Sequence, residues 1–371
     1  MLVTRRRVVS VVVVIVLAVT AAVVPADQSS LLTTTGAVRP AGRWVTIVPP
    51  LGRVTSPIRS YMTNNEIRTV ARVQSMINSL HVSGEVPLEG HNVTWHIESG
   101  MSGSQTLALQ RRILYALDRT IEASADVTRD WSVDIVVART QSFIRTTLQE
   151  LSCNPSLERF GGLVLMGAAV CGRHVIVSNI TGFLFLVRAD QNITSSLESR
   201  PEPPVSAIPY RIMMRNSSAL AHEYVHIWRA AGLGGLVRSD EPVWFNEGFA
   251  EFWSAVAKVV AYPRRISWQT HHVVRERDFY DWAHACTQSL RSLRAASPQS
   301  NGCEYHLGLI AVEYLYANYH SLDRTINAFR HAADYATFED GFLGTFGITL
   351  DQFEAEAGAF IESLRRAQLG H

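Results

Sequence analysis

The chain carries the stretch His222-Glu223-Tyr224-Val225-His226 and, further on, the stretch Trp244-Phe245-Asn246-Glu247-Gly248-Phe249-Ala250-Glu251. Residues four apart lie on one face of an α-helix, so the first stretch presents the imidazoles of His222 and His226 to a single ion. Glu223 lies roughly 100° round the helix from His222, where it reaches a water molecule beside that ion. The first stretch therefore predicts two zinc ligands and a general base.

A hydrolytic zinc site needs one more protein ligand, because zinc takes three there and leaves the fourth position to a water whose pKa falls to about 7. The metzincin pattern would place a histidine six residues after His226, but that position holds Gly232. A glycine-rich turn, residues 232–235, lets the chain reverse and start a second helix that brings back Glu247. Glu247 is therefore the expected third ligand. Glu251, one turn on, is expected either to accept the free N–H of a ligand histidine or to be a solvated helix residue.

Both stretches resemble those of the gluzincin zinc peptidases, the clan that includes thermolysin and the alanyl-type aminopeptidases, and especially its small peptidase-MA-like bacterial members. The run from Trp244 to Ala250 is similar to the aminopeptidase pattern Trp-Leu-Asn-Glu-Gly-Phe-Ala, whose Glu is the third ligand. Tyr305-His306-Leu307-Gly308 is similar to the Tyr-x-Lys-Gly that carries a transition-state tyrosine in those enzymes. The resemblance, which covers roughly residues 105 to 368, implies Tyr305 as oxyanion donor, with His306 in reserve and a packing role for Tyr305 as the alternative.

The resemblance implies a peptidase with Zn²⁺ as cofactor, a peptide or protein as substrate, and Glu223 as the catalytic base. The Gly-x-Met-Glu-Asn signature, with which aminopeptidases hold a free amino terminus, is absent from the sequence. An aminopeptidase of the same clan stays open as an alternative, as does a non-catalytic zincin-fold binding domain. The intact Glu223 disfavours the binding domain, since a structural zinc site has no use for a base.

Composition limits the classes of partner. With 371 residues and 47% hydrophobic content, the chain is able to bury a substantial core. Its formal net charge of +1 provides no basic surface of the kind that binds nucleic acid. We therefore expect no nucleic-acid partner.

The amino-terminal segment predicts export. Three arginines at positions 5–7 precede the apolar run Val8 to Val24, which is typical of a signal peptide or a single membrane anchor over residues 1–26. Residues 27–60 are rich in Thr, Pro, Gly and Ser and are interpreted as a linker. The expected location is extracytoplasmic, either secreted or anchored by one membrane pass. Four cysteines agree with an oxidising compartment, and local pairing (153 with 171, 286 with 303) is preferred among three connectivities.

Periodicity divides the remainder into an N-terminal extension, 61–105, and a zincin metallopeptidase domain, 106–371. Helices are predicted from Asn65 to Leu80 and from Pro242 to Val260, with a capping box at Thr349–Gln352. Short apolar runs predict strands. The resemblance implies an edge strand beside the cleft, for which His174 to Ser178 is the candidate, with an ordinary strand as the alternative. Strands first and helices after predict an α+β fold, with a mixed β-sheet upper subdomain, a helical lower subdomain and an N-terminal membrane segment. By the resemblance it would be a thermolysin-like zincin.

Overall fold

The computed structural model describes residues 42–47, 58–80, 93–99, 105–125, 133–138, 141–150, 168–171, 175–179, 219–229, 240–264, 266–272, 282–295, 302–319 and 334–369. The helices in these ranges are α1 Asn64–Ser79, α2 Gln105–Ala125, α3 Gln141–Glu150, α4 Ala219–Ile227, α5 Val243–Ala261, α6 Trp282–Ala285, α7 Cys303–Tyr319, α8 Phe338–Phe346 and α9 Leu350–Leu369. The strands are β1 Gly42–Ile47, β2 Ile58–Thr63, β3 Val93–Ile97, β4 Val133–Ala138, β5 Ala168–Cys171 and β6 Val175–Asn179.

Helix α5 is the centre of the core, and it packs against α7, α2 and α4. Nearly every position along it is buried, so it has no polar face of the kind that a surface helix shows. Its aromatic side chains fill the space between the neighbouring helices: Trp244, Phe245, Phe249, Phe252 and Trp253. The Phe252 ring stacks on Tyr316 of α7 with a centroid separation of 4.4 Å. The predicted helix from Pro242 to Val260 is confirmed.

Helix α1 joins the predicted N-terminal extension to the core. Its start is a capping box, in which the Glu66 N–H donates to Thr63 Oγ1 and the Thr63 N–H donates to Glu66 Oε2, both at 3.1 Å. The other carboxylate oxygen of Glu66 lies 2.8 Å from Nε2 of the buried His272. Nδ1 of His272 in turn faces Glu313 of α7 at 3.1 Å. The predicted helix over Asn65–Leu80 is confirmed, and it is part of the buried structure.

Four strands form a sheet in the order β3-β4-β6-β5. β4 pairs in parallel with both β3 and β6, and β5 pairs antiparallel with β6. Because β6 has a partner on each side, the prediction of an edge strand at His174–Ser178 is wrong. Alternation of apolar residues indicates a strand but carries no information about strand order. The outer strand on that side, among the described residues, is β5, which packs against α4.

Two local predictions near the helix ends are confirmed. Thr349 and Gln352 exchange backbone and side-chain hydrogen bonds of 3.2 Å at the start of α9, as a capping box requires. Cys286 and Cys303 form a disulfide that joins the end of α6 to the first residue of α7. Cys153, the other half of the second predicted pair, lies outside the described residues.

The predicted fold class is wrong. We expected an α+β thermolysin-like zincin with a mixed β-sheet upper subdomain and an N-terminal membrane segment, whereas helices dominate the described residues. The strands are four to six residues long and the principal helices run to 21 residues, so the strand-like runs of the sequence account for little of the structure. Strand β1 lies within the segment interpreted as a linker, 27–60, and it pairs antiparallel with β2, which begins near the end of that segment.

No helix among the described ranges has the length and apolar character needed to cross a lipid bilayer. The predicted signal peptide or anchor, residues 1–26, lies outside these ranges.

Candidate metal centre

Helix α4 carries both histidines and is held from behind by α2. The Tyr224 hydroxyl donates to Asp118 Oδ1 at 2.8 Å, and the indole N–H of Trp228 donates to the same oxygen. Tyr224 and Trp228 are four residues apart, so they share one face of the α4 segment. Because Asp118 binds that face, the helix is fixed with His222 and His226 directed towards α5.

The structure brings His222, His226 and Glu247 together. Nε2 of His222 lies 3.1 Å from Nε2 of His226 and 3.0 Å from Glu247 Oε2, and the remaining separation, from His226 Nε2 to Glu247 Oε2, is 3.4 Å. Ligand atoms at zinc bond lengths of about 2.0–2.1 Å are about 3.3 Å apart when the geometry is tetrahedral. The three observed separations are close to that value. Within the described part of the chain, this trio is the only cluster of its kind that fits a metal ion.

Glu251 faces the second ring nitrogen of His222. Its Oε1 atom lies 3.1 Å from Nδ1 of His222, one helical turn beyond Glu247 on α5. The two atoms are close, although they are not aligned as a hydrogen bond. A carboxylate at the second nitrogen of a ligand histidine selects the ring orientation, so the structure places Glu251 where it would orient His222.

The charges in the cluster favour a cation. Burial by itself would lower the pKa of His222, but the neighbouring carboxylates of Glu247 and Glu251 raise it well above its ordinary value. Burial would raise the pKa of Glu247, yet the two histidines hold it far below its ordinary value. The pocket therefore stabilises positive charge at the His222 imidazole, where a proton and a metal ion would compete for the same nitrogen.

Glu223 lies beside the cluster and is partly buried. Burial raises its pKa, Glu247 and Glu251 add to that effect, and His222 and His226 oppose it. A carboxyl group with a raised pKa is a better proton carrier near neutral pH than an ordinary glutamate. The environment of Glu223 thus suits a base that takes up a proton and gives it back.

Tyr305 lies in the first turn of α7, directly against a ligand. Its ring centroid is 5.6 Å from that of His222. Burial, reinforced by the negative charges of Glu247 and Glu223, raises the pKa of the Tyr305 phenol. The hydroxyl therefore keeps its proton at neutral pH and is able to donate. Burial would raise the pKa of Glu251, but His222 above all, with Lys258 and the reserve candidate His306, lowers it below its ordinary value.

Two glycines explain how Tyr305 reaches the ligands. Helices α5 and α7 cross at Gly248 and Gly308, where a β-carbon added to Gly248 would lie 2.6 Å from Gly308 Cα. Only residues without side chains allow backbones to approach so closely. Gly248 follows Glu247 directly, and Gly308 lies one turn after Tyr305. The crossing therefore places Glu247 near the Tyr305 phenol.

Sequence reasoning missed three parts of the site: Asp118, the glycine crossing, and a buried group formed by Arg229, Glu241 and Asn246. Asp118 is a charged residue among the apolar positions Leu114, Leu117 and Ile121, which was a usable signal. Gly248 and Gly308 stand inside helical patterns, where an isolated glycine usually has a packing reason. Nothing in the sequence close to Arg229 or Glu241 indicates that these two residues pair.

No family model matches the chain, and no curated protein matches it. Function is therefore inferred from the geometry of the site.

Proposed function

We propose that the protein is a zinc-dependent peptidase of the gluzincin type that hydrolyses peptide bonds outside the cytoplasm. The observation that carries this proposal is the convergence of His222, His226 and Glu247 at separations of 3.0–3.4 Å, with Glu223 and Tyr305 beside them. Three protein ligands with a neighbouring acid–base group are the pattern of a hydrolytic zinc site. A structural site would normally have a fourth protein ligand, and the described residues offer three.

The donor set fits zinc. Imidazole nitrogens and one carboxylate oxygen are ligands that zinc accepts, and two of the three residues, His222 and Glu247, are buried. Zinc bound by these residues would supply Lewis-acid chemistry, which polarises a peptide carbonyl and lowers the pKa of water.

The side chains of the site supply the proton transfers. Glu223 accepts a proton from the water molecule whose oxygen forms a bond to the carbonyl carbon of the substrate. When the C–N bond breaks, Glu223 gives the same proton to the departing nitrogen, so the carboxylate is restored. Tyr305 donates a hydrogen bond to the carbonyl oxygen as negative charge develops on it. Water is thus added across one peptide bond without a covalent enzyme intermediate.

The location outside the cytoplasm is supported by the disulfide between Cys286 and Cys303. Structural disulfides persist in oxidising compartments and are rare in reducing ones.

The test measures zinc and hydrolysis separately. Purified protein is assayed for bound metal and then for cleavage of a peptide library, with and without a chelator. We expect cleavage that the chelator stops and added zinc restores. Comparison of free and N-blocked peptides separates an endopeptidase from an aminopeptidase.

Glu223→Gln should keep the zinc and lose hydrolysis. Glu362→Gln makes the same change of charge on α9, where Glu362 pairs with Arg365, and should keep both properties. A Glu223→Gln protein with unchanged turnover would refute the assignment of the base. Zinc uptake without any cleavage would support the non-catalytic alternative instead.

A further inference from the structure

Arg229 lies at the end of the histidine-bearing segment, in a π-helical turn that directly follows α4. It is three residues past His226 and only 3% exposed. Its guanidinium contacts the carboxylate of Glu241 and donates to the side-chain oxygen of Asn246. Glu241 lies just before α5, and Asn246 directly precedes Glu247. One side chain therefore connects the end of the histidine segment to two points at the start of the glutamate helix.

We propose that Arg229 is a positioning residue that fixes Glu247 at its distance from His222 and His226, an inference that rests on the proposed metal centre. The segments that carry the ligands are separate in sequence, so α4 and α5 need a connection near the site. Arg229 and Asn246 provide one that ends a single residue from the ligand carboxylate.

The chemistry of the group explains why an arginine is needed. A guanidinium presents several N–H donors in a rigid plane, so it binds a carboxylate and an amide oxygen at the same time. A lysine ammonium carries the same charge but does not reproduce that planar geometry. Burial lowers the pKa of Arg229 to about 9, and the negative charge of Glu247 partly offsets the effect. The guanidinium therefore remains charged at neutral pH and lies within electrostatic reach of the ligand.

Burial also indicates that the ion pair serves geometry more than stability. The side chains of Arg229 and Glu241 are 3% and 2% exposed. Replacement of a buried ion pair by apolar residues of similar volume is often neutral for stability, whereas removal of one partner is strongly destabilising. Mutation can therefore separate a role in positioning Glu247 from a role in stabilising the fold.

The experiment uses the full chain and two variants. Arg229→Lys keeps the charge and loses the planar fork, and the double variant Arg229→Met/Glu241→Met removes the ion pair without leaving one charge unpaired. The zinc dissociation constant is measured by competition with a chelator, and urea unfolding is measured on the metal-free proteins. We expect both variants to bind zinc about 10- to 100-fold more weakly, as is usual when a partner that orients a ligand is lost. The double variant should unfold at the same urea concentration as the wild type.

Arg294→Lys is the matched control. Arg294 also fixes the start of α5, because it binds Glu354, and Glu354 accepts a hydrogen bond from the Trp244 indole. This control should unfold at lower urea concentration and keep the zinc affinity of the wild type. An unchanged zinc affinity in the double variant would overturn the proposal. So would an equal loss in Arg294→Lys, since general loosening of α5 would then explain the effect. If the wild-type protein takes up no zinc, the proposed metal centre is wrong, and so is the positioning role of Arg229.

Discussion

Substitution of Gly308 by alanine tests how the helix crossing builds the site. A methyl group there would overlap the carbonyl oxygen of Trp244 and lie 3.0 Å from Cα and 3.1 Å from N of Gly248. These are backbone atoms, which are unable to rotate out of the way. Helices α5 and α7 must therefore move apart, and Tyr305 moves with α7.

The magnitude follows from the size of that movement. Carbon atoms pack at about 3.5–4.0 Å, so relief of the crowding with Gly248 alone requires the helices to separate by roughly 0.5–1 Å. The overlap with the Trp244 carbonyl oxygen requires a movement at the upper end of this range or beyond it. Overpacking of this kind costs about 1–3 kcal/mol, while alanine in place of glycine favours the helix by about 1 kcal/mol. We expect a net loss of about 0–2 kcal/mol in the free energy of unfolding, against a gain at an uncrowded helix glycine. A displacement near 1 Å between catalytic groups lowers turnover by on the order of 10²-fold.

Urea unfolding measures the free energy of unfolding, and steady-state peptide hydrolysis measures turnover. Gly358→Ala is the control, because Gly358 lies within α9 and a β-carbon there would meet nothing within 4 Å. The control should gain up to about 1 kcal/mol from helix propensity and keep its activity. If Gly308→Ala were as stable and as active as Gly358→Ala, the helix crossing would not be what brings Tyr305 to the ligands. The change in unfolding free energy can be measured without a known substrate.

Three further perturbations address other parts of the molecule. Tyr305→Phe should lower turnover by on the order of 10²-fold with zinc affinity unchanged, and an unaltered rate would pass the donor role to His306 or to no residue. Paired serines at Cys286 and Cys303 should cost about 3 kcal/mol of unfolding free energy in urea, since the disulfide closes a loop of 17 residues; a midpoint equal to that of the oxidised wild type would contradict this. Burial lowers the pKa of Lys258 to about 8, so the unfolded chain holds more protons than the folded one between about pH 8 and pH 10.5, and stability should rise with pH across that window. Lys258→Met should therefore stabilise the protein by up to about 3 kcal/mol at pH 7, and this gain should shrink towards pH 10.5. No gain at neutral pH would contradict the prediction, because the buried charge would then be fully compensated.

The clustering of His222, His226 and Glu247 could be predicted from sequence because its information is local. His222 and His226 are one helical turn apart, and Glu247 is set within a second short motif, so helix geometry alone places each side chain on a defined face. The helices that carry long apolar periodicities, α1 and α5, were likewise predicted with boundaries close to those observed.

The support around the ligands could not be predicted in the same way. Asp118 and Tyr224 are 106 residues apart, and no local pattern relates them. The crossing of Gly248 with Gly308 likewise joins two distant helices. Strand order was also out of reach, since apolar alternation in β6 does not show whether its two edges are covered. The fold class failed for a related reason: strand-like runs indicate strands but not how much of the chain they occupy.

Lys258 is the only lysine in the chain, and it is 3% exposed within α5. Reagents that modify side-chain amines thus meet no lysine on the folded surface. Such labelling at position 258, followed by mass spectrometry, counts only molecules whose central helix has opened. The protein therefore contains its own chemical reporter of opening at the helix that carries Glu247.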